Sequence, residues 1–256
     1  MADNPYEAPE HYAQKPAKPV MTAGAIVVNV LVIVGIAGML VALLLPATRG
    51  AGEAARRMAC SNNLKMIGIG LLNYHDTYGE FPPAYTVDDQ GKPLHSWRTL
   101  ILPFIEQNKL YESIDLTKPW DDPVNKLAME TQLRVFQCPS SSLKGNLTSY
   151  LAVVTSQSAL RPVESKSIVE MPDGTVFTLL VMEFSLDKAV PWGSPEDANE
   201  AMVLNFGSAP LIPHNSVAHA LLADGSIRAI PKATSVSTLS ALITIDGNEA
   251  LDYDSF

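Results

Sequence analysis

The chain reads as an α+β protein in which a long N-terminal helix lies against an antiparallel sheet, and three observations predict it. Residues 21–45 carry no charged side chain. Behind them Ala51, Ala54, Ala55 and Met58, then Leu64, Ile67, Gly68, Leu71, Leu72 and His75, keep the i, i+3, i+4, i+7 spacing of an amphipathic helix. From residue 79 onward, six short runs read as strands, and a helical pattern closes the chain.

The first twenty residues are polar, hold Pro5, Pro9, Pro16 and Pro19, and show no periodicity, so 1–20 is expected to be a disordered tail. The run 21–45 crosses a hydrocarbon core about 30 Å thick at about 1.5 Å per residue, with residues to spare for tilt. It exceeds a signal-peptide core and follows a tail of mixed charge, which favours an uncleaved transmembrane helix. Lys15 and Lys18 before the span, against Arg49, Arg56 and Arg57 after it, would by count place the N-terminus outside. Those arginines, however, sit on the helix 46–78, which is expected to lie on its own domain. Gly79 and Phe81-Pro82-Pro83 end that helix, and 79–256 is long enough for one α+β domain with its own core.

Within that domain, 96–107 has helical spacing with Ser96 as its cap, and Asp122-Pro123 opens a short helix to Glu130. The strand candidates are 134–137, 149–155, 175–184, 202–206, 217–223 and 226–230, followed by a helix over 235–244. Asp224-Gly225, between the last two runs, has the spacing of a two-residue hairpin loop.

With 18 basic and 27 acidic residues the net charge is −9. An acidic chain without a Lys/Arg stripe argues against nucleic acid as a partner, since that affinity comes from neutralising phosphates. Two cysteines, Cys60 and Cys138, leave two readings, a single bridge closing about 78 residues or two buried thiols.

The order of short motifs resembles a prepilin-like family of unknown function abundant in planctomycete bacteria, domain of unknown function 1559. The residues that carry the likeness are Leu43-Leu44-Leu45-Pro46-Ala47, Glu53-Ala54-Ala55-Arg56-Arg57-Met58, Cys60-Ser61-Asn62-Asn63-Leu64-Lys65 and Asn73-Tyr74-His75-Asp76. Further on come Ser96-Trp97-Arg98, Pro119-Trp120-Asp121, Cys138-Pro139-Ser140, Pro172-Asp173-Gly174-Thr175, Val190-Pro191-Trp192, Pro195-Glu196-Asp197 and Phe206-Gly207-Ser208. His214, nine residues, then Asp224-Gly225 is similar to the family's H-x9-D-G signature. The resemblance implies a pilin- or pseudopilin-like architecture, a helix half in the membrane with its second half on a sheet, and a C-terminal domain outside the cytoplasm. It also implies partners, the lipid bilayer and other pilin-like proteins. The leader departs from the family: residues 20–26 read Val-Met-Thr-Ala-Gly-Ala-Ile, without the glutamate that aligns pilin subunits, so leader processing and filament assembly do not carry over.

Chemistry-bearing motifs are sparse. His214, His219 and Asp224, with Asn215 and Ser216, lack the spacing of zinc motifs, so His214, Asp224 and Gly225 are read as structural, the turn formed by Asp224-Gly225 and His214 bonded to loop backbone. Neither a metal nor a cofactor is implied. Glu183, a carboxylate in an apolar run, is read as an edge-facing acid paired with Lys188 or an arginine. No nucleophile elbow or phosphate loop occurs. The expected function is therefore a single-pass, membrane-anchored envelope protein that binds or assembles with other proteins and is not an enzyme. The alternative is a tethered hydrolase or ligand-binding domain, which would gather His75, His95, His214 and Asp224, with Trp97, Trp120 and Trp192, into one cleft.

Overall fold

In the computed structural model the described residues are 22–214, 216–249 and 251, leaving aside the side chains of 43–51. The tail 1–20 lies outside them. The chain divides into two units at Ala51 and Gly52. In the first, helix α1 (Ala23–Tyr78) begins. Its stretch Ala23–Ala42 has a mean hydropathy of 2.7 and none of it is buried.

The second unit holds the rest of α1 and every other element. In order these are β1 (Tyr85–Val87), β2 (Pro93–Ser96), α2 (Trp97–Leu100), α3 (Asn108–Glu112), α4 (Lys126–Met129), β3 (Leu147–Thr148), β4 (Tyr150–Ala152), β5 (Leu179–Glu183), β6 (Val190–Pro191), α5 (Glu200–Leu204), β7 (Val217–Leu222), β8 (Ile227–Pro231) and α6 (Val236–Ile243). The main sheet is antiparallel in the order β4-β5-β7-β8, and β1-β2 and β3-β6 form two small ladders. The molecule is thus α+β, helices packed on an antiparallel sheet.

Strand period two assigns the two faces of the sheet. One face carries Tyr150, Ala152, Val181, Leu221 and Ile227, and on it rest Cys60, Leu64, Ile67 and Leu71 of α1. The other carries Leu151, Val153, Met182, Phe184, Ala218, Ala220, Leu222 and Ile230, covered by Val203 of α5 and Leu239, Leu242 and Ile243 of α6. The four α1 residues are spaced i, i+4, i+7, i+11, the stripe expected of a helix laid on a sheet. Gly68 makes the close approach: a Cβ there would meet Leu221 Cδ1 at 2.7 Å.

A buried ion pair joins the first helical turn of the domain to the sheet. Ser96 caps α2, and Arg98, fully buried, donates to Asp197 at 2.5 Å and to the Tyr150 carbonyl at 3.0 Å. Asp197 also accepts from the Trp97 indole at 3.1 Å and from the Ala152 N–H at 2.7 Å. Burial pushes the Asp197 carboxyl up to about 6, against the downward pull of the Arg98 guanidinium.

Several elements differ from the sequence reading. The helix over 96–107 is broken: α2 stops at Leu100 and a 3-10 turn, Leu102–Ile105, follows, because Pro103 removes a donor. The helix expected from Asp122 is confined to α4, while Asp122 caps a turn by accepting from the Val124 N–H at 3.0 Å. The run 134–137 forms a 3-10 turn held by Asn63, which donates to the carbonyls of Arg134 and Gln137. The run 202–206 is not a strand. Asn199 caps α5 by accepting from the Met202 N–H at 3.0 Å, and the buried pair Val203 and Phe206 has helical, not alternating, spacing.

The hairpin also differs in type. Leu222 and Ser226 bracket a three-residue loop, with Leu222 N–H bonded to the Ser226 carbonyl at 3.0 Å and Gly225 N–H to the Leu222 carbonyl at 2.9 Å. Only Gly225 has positive φ, +79°, so this is a type I turn closed by a glycine bulge and not the mirror-image two-residue turn. The extra residue sets the register, pairing Leu221 with Ile227 on the face that meets α1.

Two outcomes follow from this packing. Gly225→Val introduces a side chain at positive φ whose Cβ would lie 2.9 Å from Leu72 Cδ1, and is expected to cost about 1 kcal/mol or more in denaturant unfolding, against a smaller loss for Asp224→Ala. Arg98→Met and Asp197→Ala are each expected to cost about 3 to 5 kcal/mol, because each leaves its partner buried without a counter-charge. The double variant should lose clearly less than the sum in a double-mutant cycle, and additive losses would show that the pair is not coupled.

Candidate functional site

The face of the sheet beneath α1 carries one cluster of ionisable groups. Glu183 alternates with Met182 and so points to the same face as Val181, under the helix. The register Met182↔Ala220 sets His219 of β7 across from it. His214 precedes β7 and forms an isolated bridge with Val217. From α1 come Cys60 and, seven residues earlier on the same stripe, Glu53.

Cys60 and Cys138 are joined in a disulfide, with Cα atoms 5.0 Å apart. Of the two readings left open by the sequence, the bridge is the one found. Cys138 follows the 3-10 turn Arg134–Phe136 that Asn63 holds in place, so the bond fastens the middle of α1 to the loop beside it.

His214 is buried between charges. Its Nδ1 lies 3.2 Å from Glu53 Oε1, and its Nε2 lies 3.3 Å from Cys138 Sγ and 3.8 Å from Glu183 Oε2. His219 Nδ1 is 3.6 Å from the same Glu183 oxygen, and the two imidazoles meet edge to face with centroids 4.8 Å apart. Hydrogen bonds from Arg56, then from His214, hold the Glu53 carboxyl below its usual range. On the neighbouring strand, burial and then the Glu183 carboxylate push the Tyr150 phenol well above its ordinary value.

Glu183 is the residue that sequence reasoning misjudged. It is fully buried, and neither carboxylate oxygen receives a hydrogen bond. Lys188, the partner expected for it, instead lies 3.6 Å from Asp187. The signal was in the strand period: an acid two places after Val181 shares the face of Val181, which the amphipathic helix covers.

The other candidate residues are dispersed. His75, at the end of α1, lies 3.3 Å from Ser167 Oγ and accepts from the Ile168 N–H at 3.2 Å. His95 is buried on β2, where desolvation holds the imidazole below its ordinary value. Asp224 sits at the far end of β7 from His214, accepting from the Ser226 N–H at 2.8 Å. The tryptophans anchor loops: Trp97 donates to Asp197, and Trp192, stacked on Phe136, donates to the Thr131 carbonyl at 2.9 Å. The cleft required by the hydrolase alternative is not formed by these residues. His214 departs from the reading in another way, since its ring contacts Glu53 and Cys138 where loop backbone was expected.

A pocket of about 420 Å³ opens beside the opposite sheet face, lined mainly by Phe184, Met202, Phe206, Ala209 and Pro210 with Asp187 and Lys188 at its edge. A second cleft, about 440 Å³, includes Asn63, Gln132, Arg134, Gln137 and Cys138 and reaches the loop that carries the bridge.

Residues 49–167 match a family described as protein of unknown function (DUF1559). No curated protein and no solved structure matches the chain. The matched segment takes in Glu53, Cys60, Arg98 and Cys138, whereas Glu183, Asp197, His214 and His219 lie beyond it.

The bridge is directly measurable. Peptide mapping of the full chain under non-reducing conditions is expected to yield one linked pair containing Cys60 and Cys138, and two alkylatable thiols would show that they are merely buried. Closing about 78 residues should make Cys138→Ser about 2 to 5 kcal/mol less stable in denaturant unfolding.

Proposed function

We propose, on the match of residues 49–167 to the DUF1559 family of unknown function, that the chain is a single-pass, membrane-anchored protein of the cell envelope whose pilin-like domain binds or assembles with other proteins. The observation that carries this reading is the stretch Ala23–Ala42, apolar, uncharged and wholly unburied. A helix with Leu31 and Ile33 both 65% exposed on opposite sides requires an apolar solvent or an apolar partner all round.

Three features support an extracytoplasmic, non-enzymatic domain. A disulfide between Cys60 and Cys138 persists in an oxidising compartment. His75 is held by Ser167 and Ile168 at the end of α1, apart from the pair His214 and His219 beneath the helix. The face of α1 turned away from the sheet exposes Met58, Met66 and Ile69, an apolar stripe suited to a neighbouring helix from a second copy or a related protein. In this reading the bilayer holds α1, the domain stands outside the cytoplasm, and assembly proceeds through that outer stripe.

The test is topological and then biochemical. Alkaline phosphatase fused after Phe256 should be active and a fluorescent cytoplasmic reporter at the same point dark, with the full-length chain in the membrane fraction. An inactive phosphatase would overturn the orientation, and a shortened chain released into the soluble fraction would show 21–45 to be a cleaved signal. A photo-crosslinking amino acid at Met66 should give protein adducts in membranes, whereas one at Lys109, away from that stripe, should not. Equal or absent adducts would remove the assembly role.

A further inference from the structure

The bridge accounts for the two sulfurs of the buried cluster but not for Glu183. Its carboxylate is fully buried, receives no hydrogen bond, and faces His214 and His219 at 3.8 and 3.6 Å. One ligand atom from each of Cys60, Cys138, Glu183 and His214 lies within 4.8 Å of every other, and all four residues are buried. A tetrahedral zinc ion with bonds of about 2.0 to 2.3 Å holds its ligand atoms roughly 3.3 to 3.8 Å apart. Two spacings in the cluster, Cys138 Sγ to His214 Nε2 at 3.3 Å and His214 Nε2 to Glu183 Oε2 at 3.8 Å, already have that size.

The surroundings prepare His214 for the same role. His214 Nδ1 lies 3.2 Å from Glu53 Oε1, so that when the ring donates there Nε2 is the nitrogen left to face the sulfur and Glu183. A carboxylate behind a histidine in this way is the usual outer partner of a metal-ligating imidazole.

We propose that Cys60, Cys138, His214 and Glu183 form a zinc site that the disulfide masks, so that the bridge and the metal are alternative closures of one cluster. A dithiol reductant converts one into the other. Its first thiolate attacks one sulfur of the bridge, the S–S bond breaks with its electron pair on the other cysteine, and the second thiol resolves the mixed disulfide. The reductant leaves oxidised to a disulfide, and Cys60 and Cys138 are left as thiols. Zinc then replaces their two protons, which pass to water, and the carboxylate and imidazole complete four-coordination. Two thiolates with one imidazole select zinc over magnesium or calcium. The cleft that includes Cys138 supplies the approach for both reagents. This site is independent of the anchoring and assembly proposed above, and it forms only where a dithiol can reach the domain.

The experiment uses the full chain in detergent, oxidised or reduced and desalted under argon, titrated with Zn²⁺ against a colorimetric chelator. The reduced chain is expected to bind one zinc, to protect both cysteines from alkylation when loaded, and with Co²⁺ to show thiolate-to-cobalt charge transfer and tetrahedral d–d bands. The oxidised chain should bind none. Glu183→Gln should weaken zinc binding about tenfold or more. Glu53→Gln, at a half-buried helix position outside the apolar stripe, should weaken it by about 10- to 100-fold. No zinc uptake by the reduced wild-type chain, equal uptake by the oxidised chain, or octahedral cobalt bands without charge transfer would each overturn the proposal. Unchanged affinity in both carboxylate variants would do the same.

Discussion

The buried pair between Arg98 and Asp197 is the constraint on which the sheet depends. Asp197 accepts from Arg98, from the Trp97 indole and from the Ala152 N–H, while Arg98 also donates to the Tyr150 carbonyl. Four contacts therefore fix β4 between α2 and the loop before α5. Strand β4 in turn sets the edge of the sheet, because Tyr150 is paired with Glu183 and Ala152 with Val181. Apolar side chains of similar volume would fill the same space at less desolvation cost. They would not specify which backbone groups β4 must present, and it is that specification which brings Glu183 under the helix.

The two faces of the sheet then have different tasks. Beneath α5 and α6 an apolar layer packs Leu151, Met182 and Leu222 against Val203 and Leu239. Beneath α1 an equally dry layer is interrupted by Glu183 and His214 next to a bridge. Carboxylate and imidazole sit beside Leu64, Ile67 and Val181 in that layer, and such polarity is retained in a core when it performs chemistry or fixes a unique arrangement.

How much of this was legible in the sequence depended on the range of the deciding contact. The stripe from Leu64 to Leu71, the helix over 235–244 and the pair of strands flanking Asp224-Gly225 rest on local periodicity and turn chemistry, and they lie where the reading places them, whereas Met58, expected on the same stripe, is exposed. The run 202–206 is a short apolar run of strand length, but the Asn199 cap three residues before its start is the stronger signal. The ladders β1-β2 and β3-β6 contain few residues each, too few to show an alternating period, and β3 also depends on a partner distant in the chain, so no local pattern announces them. The cluster is hidden for the same reason in a larger form: Glu53, Cys138, Glu183 and His214 are far apart in sequence, and no spacing near His214 marks it. The two cysteines stand out by their rarity, but nothing local places Glu183 beside them.

The bridge at Cys60 also decides how the domain carries load. A helix held only by its apolar stripe peels from a sheet one turn at a time when pulled along its axis, and each turn resists separately. Tension entering α1 from its N-terminal side meets instead a covalent branch at Cys60, where part of the force passes through the sulfur atoms into the loop at Cys138 and from there into the backbone that Asn63 holds. The turns from Ser61 to Tyr78 are then shielded. Extraction of the helix requires shearing the whole layer at once or breaking a covalent bond, so reduction of that single bond converts a rigid mooring into a compliant one.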